Sequence, residues 1–576
     1  MSPTSSLARE TGEEASRWRS VWQSWWFSIA WYLLLIVITT WPLARFATTH
    51  LTQGPTLATA VPLFNMWTLE WNADRVLHGF QGYWDAPIFH PARGSFAFSE
   101  PQPTLIVVAP LVWLMGSGAL AYNVYYGLAL LLNAVVTEAL LRDRGVGRAL
   151  ARAGGMAMLW IPAVYWQGDV LQLVPLWGIL WVWWAADRVS REATWRRGIE
   201  LGLAAAVTSL MCMHYGLFLA ILGVPAGGVL IRRGKQLRTW LVWSLAVAIA
   251  GALAGPIAWK VHHTLKQFQF ERDFGQLSQL SLVLDDYRAA CGYGIFPWGQ
   301  QASRPVWAAS PGAFKLGLAI VGIILGLWRR RTRRWTLFLT LTGLIAVALS
   351  LGINLRWGAW SLWSRLNWIP GLAQVRSCYR FSFYVQMICV LLTVQALHTI
   401  YLLGRHGSRT SQRLTSFVVT ALALIAAGEV LPWKTELAAV PDRTVHRSWV
   451  EYVRTHVLPD QAIVHLPFAL SPNLKSFEKT TEWMVLGLDH QAPMLNGYSG
   501  FFPEAEAEFR GMFIEHGITD KTLQYVYDRG VRWLVVERNM FPTDWMVTRE
   551  FENMEIKLVH SDPAGVDLYT LNPWEE

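Results

Sequence analysis

Charged residues are scarce in this sequence of 576 amino acids. Asp, Glu, Lys and Arg make up 15% of the chain, whereas soluble domains usually carry about 25%. Hydrophobic residues account for 53%, and many of them fall in repeated long apolar runs. This composition excludes an ordinary soluble protein and indicates a polytopic membrane protein.

The chain also lacks the short motifs of many soluble enzymes. It contains no Ser nucleophile elbow, no CxxC and no HExxH,. Its four cysteines, at positions 212, 291, 378 and 389, show no metal-site spacing,. Cys291 and Cys378 fall in loops predicted on the same side and can pair. The net charge of +9 comes from arginines in short loops, so it does not indicate nucleic-acid binding,.

Tryptophan is abundant, with 34 residues, and membrane interfaces favour this amphipathic ring,. A helix needs about 20 residues to cross the hydrocarbon core. The apolar runs predict eleven spans, some of them short: 25–44, 119–141, 153–167, 171–187, 198–213, 216–231, 238–258, 313–328, 335–353, 383–403 and 414–432.

Arginines fix the predicted orientation. With segment 1–24 in the cytoplasm, the basic loops near 142–152, 188–197, 232–238, 329–334 and 405–413 all lie inside, as the positive-inside rule requires,. This requires that Thr104–Met115, which is about 12 residues long and contains Pro110, is interfacial or re-entrant,. The alternative is a short span there, which places all the later basic loops outside.

The outer side then collects the loops 46–118, 259–312 and 354–382, and everything after 433. From about Pro441 the composition is that of a soluble domain, with predicted helices at SWVEYVRTHV, PEAEAEFRGMFIEHG and DKTLQYVYDRG. Strands are predicted at QAIVHLPF and VRWLVVER, and a hairpin at EIKLVHSD and GVDLYTL,. We expect an extracytoplasmic α/β domain over 433–576 that caps the outer face, or packs there without a ligand.

The stretch FNMWTLEWNADRVLHG, 64–79, predicts a helix just outside the first span. Its aliphatic residues share one face, and Trp67 and Trp71 lie on the other, where they can anchor at the membrane interface,. Further polar candidates occur in at least five outer loops: Glu70, Asp74, Asp85, His90, Arg93, Glu100, Asp169, His214, His262, His263, Asp285, Asp286, Arg288, Arg376 and Arg380. Carboxylates and arginines gathered at a membrane surface suit a lipid-phosphate substrate, although each residue alone is typical of a solvated loop.

Three passages resemble the glycosyltransferase-C superfamily, in particular a large bacterial branch. They are PLFNMWTLEWN followed by DAPIFHPARGSFAFSEPQPTLIVVAPLVWLMGSGALAYNVYYGL, then WIPGLAQVRSCYRFSF, then a tail with AIVHLPF, PMLNGYSGFFPE and DRGVRWLVVER. The resemblance implies a mainly α, polytopic transmembrane domain over 25–432, with juxtamembrane helices in the outer loop 46–118. It also implies inverting transfer of a sugar, a hexose or a pentose, from a polyprenyl-phosphate donor to a glycan, lipid or protein acceptor on the outer face of the bacterial inner membrane.

The resemblance implies a catalytic acid in the first outer loop that acts as a general base. The branch commonly has an acid just before its Pro-x-x-Asn-x-Trp passage, where this chain has Val61. Glu100 matches the second acidic position of the branch and is the first candidate for the base; Glu70 is the second. The substrate-binding candidates are Arg376 and Arg380 for the phosphate, with Asp169, His214, Trp67 and Asn65 around the sugar. The cofactor stays open, a divalent cation such as Mg²⁺ or Mn²⁺ being one option.

Two other functions are consistent with the sequence. A non-catalytic scaffold of the same fold, which binds a lipid-linked glycan or assists envelope assembly, is favoured by Val61. A transporter is disfavoured, because Glu138, Glu200, Lys315 and Glu429 all fall near the ends of the predicted spans and not at their centres,.

Overall fold

The computed structural model of the chain describes residues 24–54, 57–231, 234, 236–270, 274–288, 309–358, 360–366, 368–369, 371–432, 435–469, 471, 473–540 and 551–573. Cys291, the predicted partner of Cys378, lies outside these residues. The described chain is mainly helical, with small sheets concentrated near its C-terminal end. It is a multi-pass membrane protein, as the sequence predicted.

A helix occupies each of the eleven predicted spans. In chain order the helices up to residue 428 are α1 (Trp25–Thr39), α2 (Ala60–Leu77), α3 (Ala109–Met115), α4 (Gly118–Asp143), α5 (Arg148–Leu159), α6 (Pro162–Trp166), α7 (Trp177–Arg191), α8 (Trp195–Met211), α9 (Met213–Gly227), α10 (Leu237–Gln267), α11 (Phe274–Gln279), α12 (Ala313–Trp328), α13 (Arg333–Ser350), α14 (Leu362–Leu366), α15 (Ser382–Gly404) and α16 (Arg409–Gly428). By length and hydropathy alone, four segments of the described chain can cross a membrane: Gly118–Asp143, Leu237–Gln267, Cys378–Gly404 and Arg409–Gly428.

Local chemistry sets several of these boundaries. Ser117 and Thr194 cap α4 and α8, because each hydroxyl accepts a backbone N–H of the first turn,. Cys212 has extended backbone angles, so the apolar run divides there into α8 and α9. Arg144, which follows the last residue of α4, donates to Asp187 of α7 at 2.5 Å and so joins these two helices.

The segment predicted to be interfacial or re-entrant does not form one long helix. Residues Pro103–Val108 form a 3-10 turn, and α3 follows for seven residues. Gly116, which follows the last residue of α3, has φ of 62°, and the chain therefore turns sharply into α4,.

Helix α2 begins four residues earlier than the predicted helix and is far more buried. From Pro62 to Ala73 its residues are buried on every face, Trp67 and Trp71 included. The predicted anchoring of these two rings at the membrane interface does not occur, because protein covers the face that carries them. The rings instead stack on each other, with centroids 6.4 Å apart.

The C-terminal part combines helices with a four-stranded sheet. Its helices are α17 (Arg447–His456), α18 (Glu478–His490), α19 (Glu504–His516) and α20 (Asp520–Asp528). The strands of the chain are β1 (His50–Thr52), β2 (Arg356–Trp357), β3 (Trp360–Ser361), β4 (Leu437–Ala439), β5 (Ala462–Leu466), β6 (Val531–Glu537), β7 (Met554–Ser561) and β8 (Val566–Pro573). The sheet order is β5-β6-β8-β7, with β5 and β6 parallel and the other pairs antiparallel.

The first outer loop and the C-terminal part are packed together. Strand β1 pairs antiparallel with β4, with Leu51 opposite Ala438. Helix α18 packs along α2, and Phe64 of α2 meets the ring of Tyr498 edge-on at 5.4 Å. The C-terminal part therefore completes the environment of the outer loop that carries Glu70 and Glu100.

Candidate functional site

A large cavity lies among α8, α9 and α10 and opens towards the first outer loop. Its volume is about 1130 Å³. Along most of its length the walls are small or aliphatic residues, which leave room beside the helices: Ala205, Ala220, Gly223, Gly227, Ala246, Ala250, Gly251, Ala254 and Ala258. Such a trough can hold a hydrocarbon chain, since it offers apolar surface and few hydrogen-bonding groups.

Polar groups are concentrated at one end of this cavity. They come from five separate parts of the chain: Glu100, Gln172, His214, His262, Gln374, Arg376 and Arg380. Four of the eight predicted site residues are thus brought together, namely Glu100, His214, Arg376 and Arg380. Phe501, from the C-terminal part, also lines this end.

Glu100 lies on a loop immediately before two closely spaced prolines. Pro101 and Pro103 follow it, and Gln102 between them has φ of 47°, an uncommon angle for a residue with a side chain,. Asn72 and Asn65 fix the loop, because Asn72 donates to the Pro101 carbonyl at 2.8 Å and Asn65 accepts from Gln102 at 3.1 Å.

The Glu100 carboxylate joins this loop to α9. One oxygen accepts the backbone N–H of Met213 at 2.9 Å, and the other contacts Nδ1 of His214. Burial opposes its ionisation, but His214, Arg380 and the Met213 N–H together hold the pKa of Glu100 below its ordinary value,. Glu100 is therefore an ionised carboxylate at neutral pH.

The two arginines come from the segment ahead of α15. Arg380 lies in the 3-10 turn Cys378–Phe381, and its Nη1 is 3.3 Å from Nε2 of His214. Burial lowers the pKa of Arg376 from its ordinary value, and the nearby charge of Arg380 lowers it further. Within the described chain neither arginine forms an ion pair with a carboxylate, so both retain donors for an anionic ligand,.

Glu70 is engaged elsewhere. Arg443 donates to its Oε2 at 2.6 Å, and Gly118 at the start of α4 packs so closely against the carboxylate that it has no room for a Cβ. Burial raises the pKa of Glu70, whereas Arg443 lowers it. Glu70 is not among the cavity-lining residues, and its contacts are those of a buried ion pair that joins α2 to the C-terminal part.

Asp169, Asn65 and Trp67 also lie away from the cavity lining. Burial raises the pKa of Asp169 to about 7, and among the described residues no cation forms an ion pair with it. Asn65 donates to the backbone carbonyls of Val61 and Asp169 at 3.0 and 3.2 Å. Trp67 is stacked between Phe64 and Trp71. Their places in substrate binding remain predictions.

The side chains at the polar end of the cavity that could bind a metal ion are not the ligands that Mg²⁺ or Mn²⁺ prefers. Side-chain atoms of Glu100, Cys212 and His214 lie within 4.8 Å of one another. Hard cations prefer oxygen ligands, and this group offers a single carboxylate beside a thiol and an imidazole. The guanidinium of Arg380 against His214 adds a positive charge. We therefore derive no step through a metal ion.

Sequence reasoning missed several members of the site. Gln172, Gln374 and Cys212 carried no motif, and Arg443, the half-buried partner of Glu70, lies 373 positions from it. The remaining outer-loop acids have local partners: Asp74 pairs with Arg75, Asp85 accepts the Gly94 N–H at 2.8 Å, and Asp285 is exposed beside Arg288.

Comparisons with known proteins identify the fold. No family model and no curated protein sequence matches the chain. The structure is similar to that of the arabinofuranosyltransferase AftD from mycobacteria, with a TM-score of 0.56, 13% identity and 96% of this chain covered. The chain spans 41% of the length of AftD. ArnT from Cupriavidus metallidurans, solved with bound undecaprenyl phosphate, gives a TM-score of 0.41, 12% identity and coverage of 94% and 97% of the two chains. The similarity to AftD confirms the glycosyltransferase-C fold.

Proposed function

We propose that this chain, which has the glycosyltransferase-C fold, is a membrane glycosyltransferase. It moves a sugar from a polyprenyl-phosphate donor to an envelope acceptor on the extracytoplasmic face, with inversion at the sugar carbon. The observation that carries the proposal is the cavity, which joins a long apolar trough to a polar end that contains Arg376 and Arg380, neither of them ion-paired with a carboxylate of the described residues. A polyprenyl phosphate has the same division into a hydrocarbon tail and an anionic head.

The arginines account for recognition of the donor phosphate. Burial lowers the pKa of Arg376, and no carboxylate of the described residues forms an ion pair with it. A phosphate offers the missing negative charge and can accept two parallel N–H bonds from one guanidinium. The same charges stabilise the phosphate as it departs, which is where a transferase needs them.

The acid–base groups lie beside the arginines. His214 contacts both Glu100 and Arg380, so a proton acceptor and the phosphate site are neighbours at the polar end of the cavity. Transfer to a hydroxyl requires both, because the acceptor loses its proton while the phosphate leaves with the bonding electrons. Glu100 and Glu70 remain the predicted acids, and the contacts favour Glu100 because Glu70 is paired with Arg443.

The proposed sidedness comes from the arginine-rich loops. If the arginine-rich loops lie in the cytoplasm, the polar end of the cavity and the region 433–576 lie on the opposite side of the membrane. We propose that 433–576 is a distinct domain that caps the outer face. The packing of α18 on α2 and the presence of Phe501 in the cavity support this role.

A second candidate is a non-catalytic protein that binds a lipid-linked glycan on the same scaffold. It is favoured by Val61, which stands where the related bacterial branch commonly has an acid. On this alternative the arginines hold the lipid phosphate and no sugar is transferred.

One assay separates the two candidates. Membranes that contain the protein are supplied with a panel of radiolabelled polyprenyl-phosphate sugars, with wild type and Glu100→Gln side by side. We expect label transfer by wild type and clearly reduced transfer by the variant, which has lost the carboxylate that contacts His214,. Binding of undecaprenyl phosphate without transfer from any donor would instead support the non-catalytic scaffold.

A further inference from the structure

His214 lies between the carboxylate of Glu100 and the guanidinium of Arg380, at the polar end of the cavity. We propose that His214, through Nε2, is the general base that takes the proton of the acceptor hydroxyl, and that Glu100 is a positioning residue. This inference rests on the proposed transferase function and concerns the same site. It assigns the base to an imidazole, where the sequence predicted a carboxylate.

Glu100 and Arg380, on opposite sides of the His214 ring, favour the same tautomer. Arg380 has only N–H donors, so Nε2, which it faces at 3.3 Å, must present its lone pair,. The ionised Glu100 has only acceptors, so Nδ1 must carry the hydrogen,. A neutral imidazole with its lone pair on Nε2 is the form that a base requires.

Glu100 is poorly suited to take the proton itself. Both of its oxygens are held by close contacts, one with the Met213 N–H at 2.9 Å and the other with His214, whereas the contact of Arg380 with Nε2 of His214 is longer, at 3.3 Å. Those interactions, which outweigh its burial, hold its pKa below the ordinary value and so weaken it as a base. The His214 side chain is 25% exposed against 11% for Glu100, and so it is the more accessible of the two.

The reaction step balances without a co-reactant. The acceptor oxygen forms a bond to the sugar carbon, and its proton passes to Nε2 of His214. The bond from that carbon to the phosphate oxygen breaks, and the polyprenyl phosphate leaves with the electron pair. The new imidazolium faces the negative charge of Glu100, and the arginines face the negative charge of the phosphate. Before the phosphate binds, Arg380 disfavours the imidazolium, so the donor itself makes proton uptake easier.

The charged and titratable groups around His214 determine how it titrates. Among the described residues, Glu100 faces it from the first outer loop, Arg380 from the turn before α15, and Cys212 from the start of its own helix, and Arg376 and His262 line the same end of the cavity. Glu100 favours the imidazolium and Arg380 opposes it. Replacing Glu100 with Gln removes the favourable charge, so the imidazolium of His214 is less stabilised in that variant.

The first test is the pH dependence of transfer by the purified full chain. Wild-type kcat/KM falls as the pH is lowered through the imidazole pKa. We expect His214→Gln to lose at least about 100-fold, with undecaprenyl-phosphate affinity unchanged within about threefold, a shift of less than 1 kcal/mol. Glu100→Gln retains part of the activity, and the acid limb of its profile moves to lower pH.

His263→Gln, an exposed position on α10, is the control. Activity above a tenth of wild type in His214→Gln would overturn the inference.

A second measurement does not depend on turnover. Diethyl pyrocarbonate acylates unprotonated imidazole, and mass spectrometry gives the extent at His214 as a function of pH. The midpoint is expected to be about one pH unit lower in Glu100→Gln than in wild type. An unchanged midpoint would overturn the pairing of the two residues. A shifted midpoint in a protein that transfers no sugar would refute the proposed function, and with it the role of His214 as the base, while the pairing stands.

Discussion

Arg443 donates a hydrogen bond of 2.6 Å to Glu70, a residue 373 positions earlier in the chain. Glu70 belongs to α2 in the first outer loop, and Arg443 follows the last predicted membrane span. Asp489 of α18 is a second partner of Arg443, at 3.3 Å. This ion-paired group therefore joins the C-terminal part to the loop that also carries Glu100.

Removal of the Glu70 charge is expected to act on stability. Glu70→Gln removes the closer of the two carboxylates that pair with Arg443 among the described residues and leaves the partly exposed Asp489, so we expect the free energy of unfolding to fall by about 2 kcal/mol,. Thermal unfolding in detergent measures this loss. Asp489→Asn removes only the outer partner and is expected to cost less. An equal or larger loss of unfolding free energy in Asp489→Asn would contradict the prediction that Glu70 is the more important partner of Arg443.

Arg376 is expected to determine affinity for the lipid phosphate. Arg376→Ala removes charge-assisted hydrogen bonds worth about 1.5–3 kcal/mol, which weakens binding of undecaprenyl phosphate by about 10- to 100-fold. Arg376→Lys keeps the charge but not the planar fork, so it restores only part of the affinity. Binding in nanodiscs measures both. Unchanged affinity in Arg376→Ala would place the phosphate elsewhere.

The trough is expected to select for the length of the lipid tail. Ala254 of α10 faces the cavity, whereas its neighbour Leu253 does not line it and is 49% exposed. Ala254→Trp fills the trough and should weaken binding of a C55 polyprenyl phosphate by at least about tenfold. A short-chain isoprenyl phosphate should bind as it does to wild type. Leu253→Trp is the matched control, and equal effects of the two substitutions on the long lipid would argue against the trough as the tail site.

The buried carboxyl of Asp169 is expected to lower the stability of the folded protein as the pH rises. Its carboxyl has a pKa of about 7 when folded, whereas an unperturbed Asp has about 3.9. Between these values the unfolded chain has lost the proton that the folded chain retains, so stability falls as the pH rises. Asp169→Asn removes this term. We expect the variant to gain stability over wild type by about 2 kcal/mol more at pH 8 than at pH 5. Thermal unfolding at the two pH values tests this, and a gap that narrows towards pH 8 would contradict it.

Much of the fold could be predicted from local sequence. Apolar runs of the right length predicted a helix at every span, and short runs rich in apolar and β-branched residues in the tail predicted the strands β5 to β8,. The passage around Glu100 was recognisable from its resemblance to the glycosyltransferase-C superfamily, and Arg376 and Arg380 were recognisable as two arginines four positions apart ahead of a span.

The remainder depended on contacts between distant parts of the chain. The periodicity of α2 predicted one buried face, but α18 and its surroundings bury the other face too, and that packing leaves no local signal. The same reasoning applies to Arg443, which looks like an ordinary charge in a linker. The orientation of His214 arises only where the first outer loop meets α9 and the turn before α15.

The most direct test of a lipid-phosphate donor is a structure of the purified protein in nanodiscs with a bound polyprenyl phosphate. We predict density for the phosphate against Arg376 and Arg380, beside His214, with the tail along Ala254 and Ala258 of α10. Phosphate density away from both arginines, or an empty trough in a sample shown to retain the lipid, would contradict the proposed function.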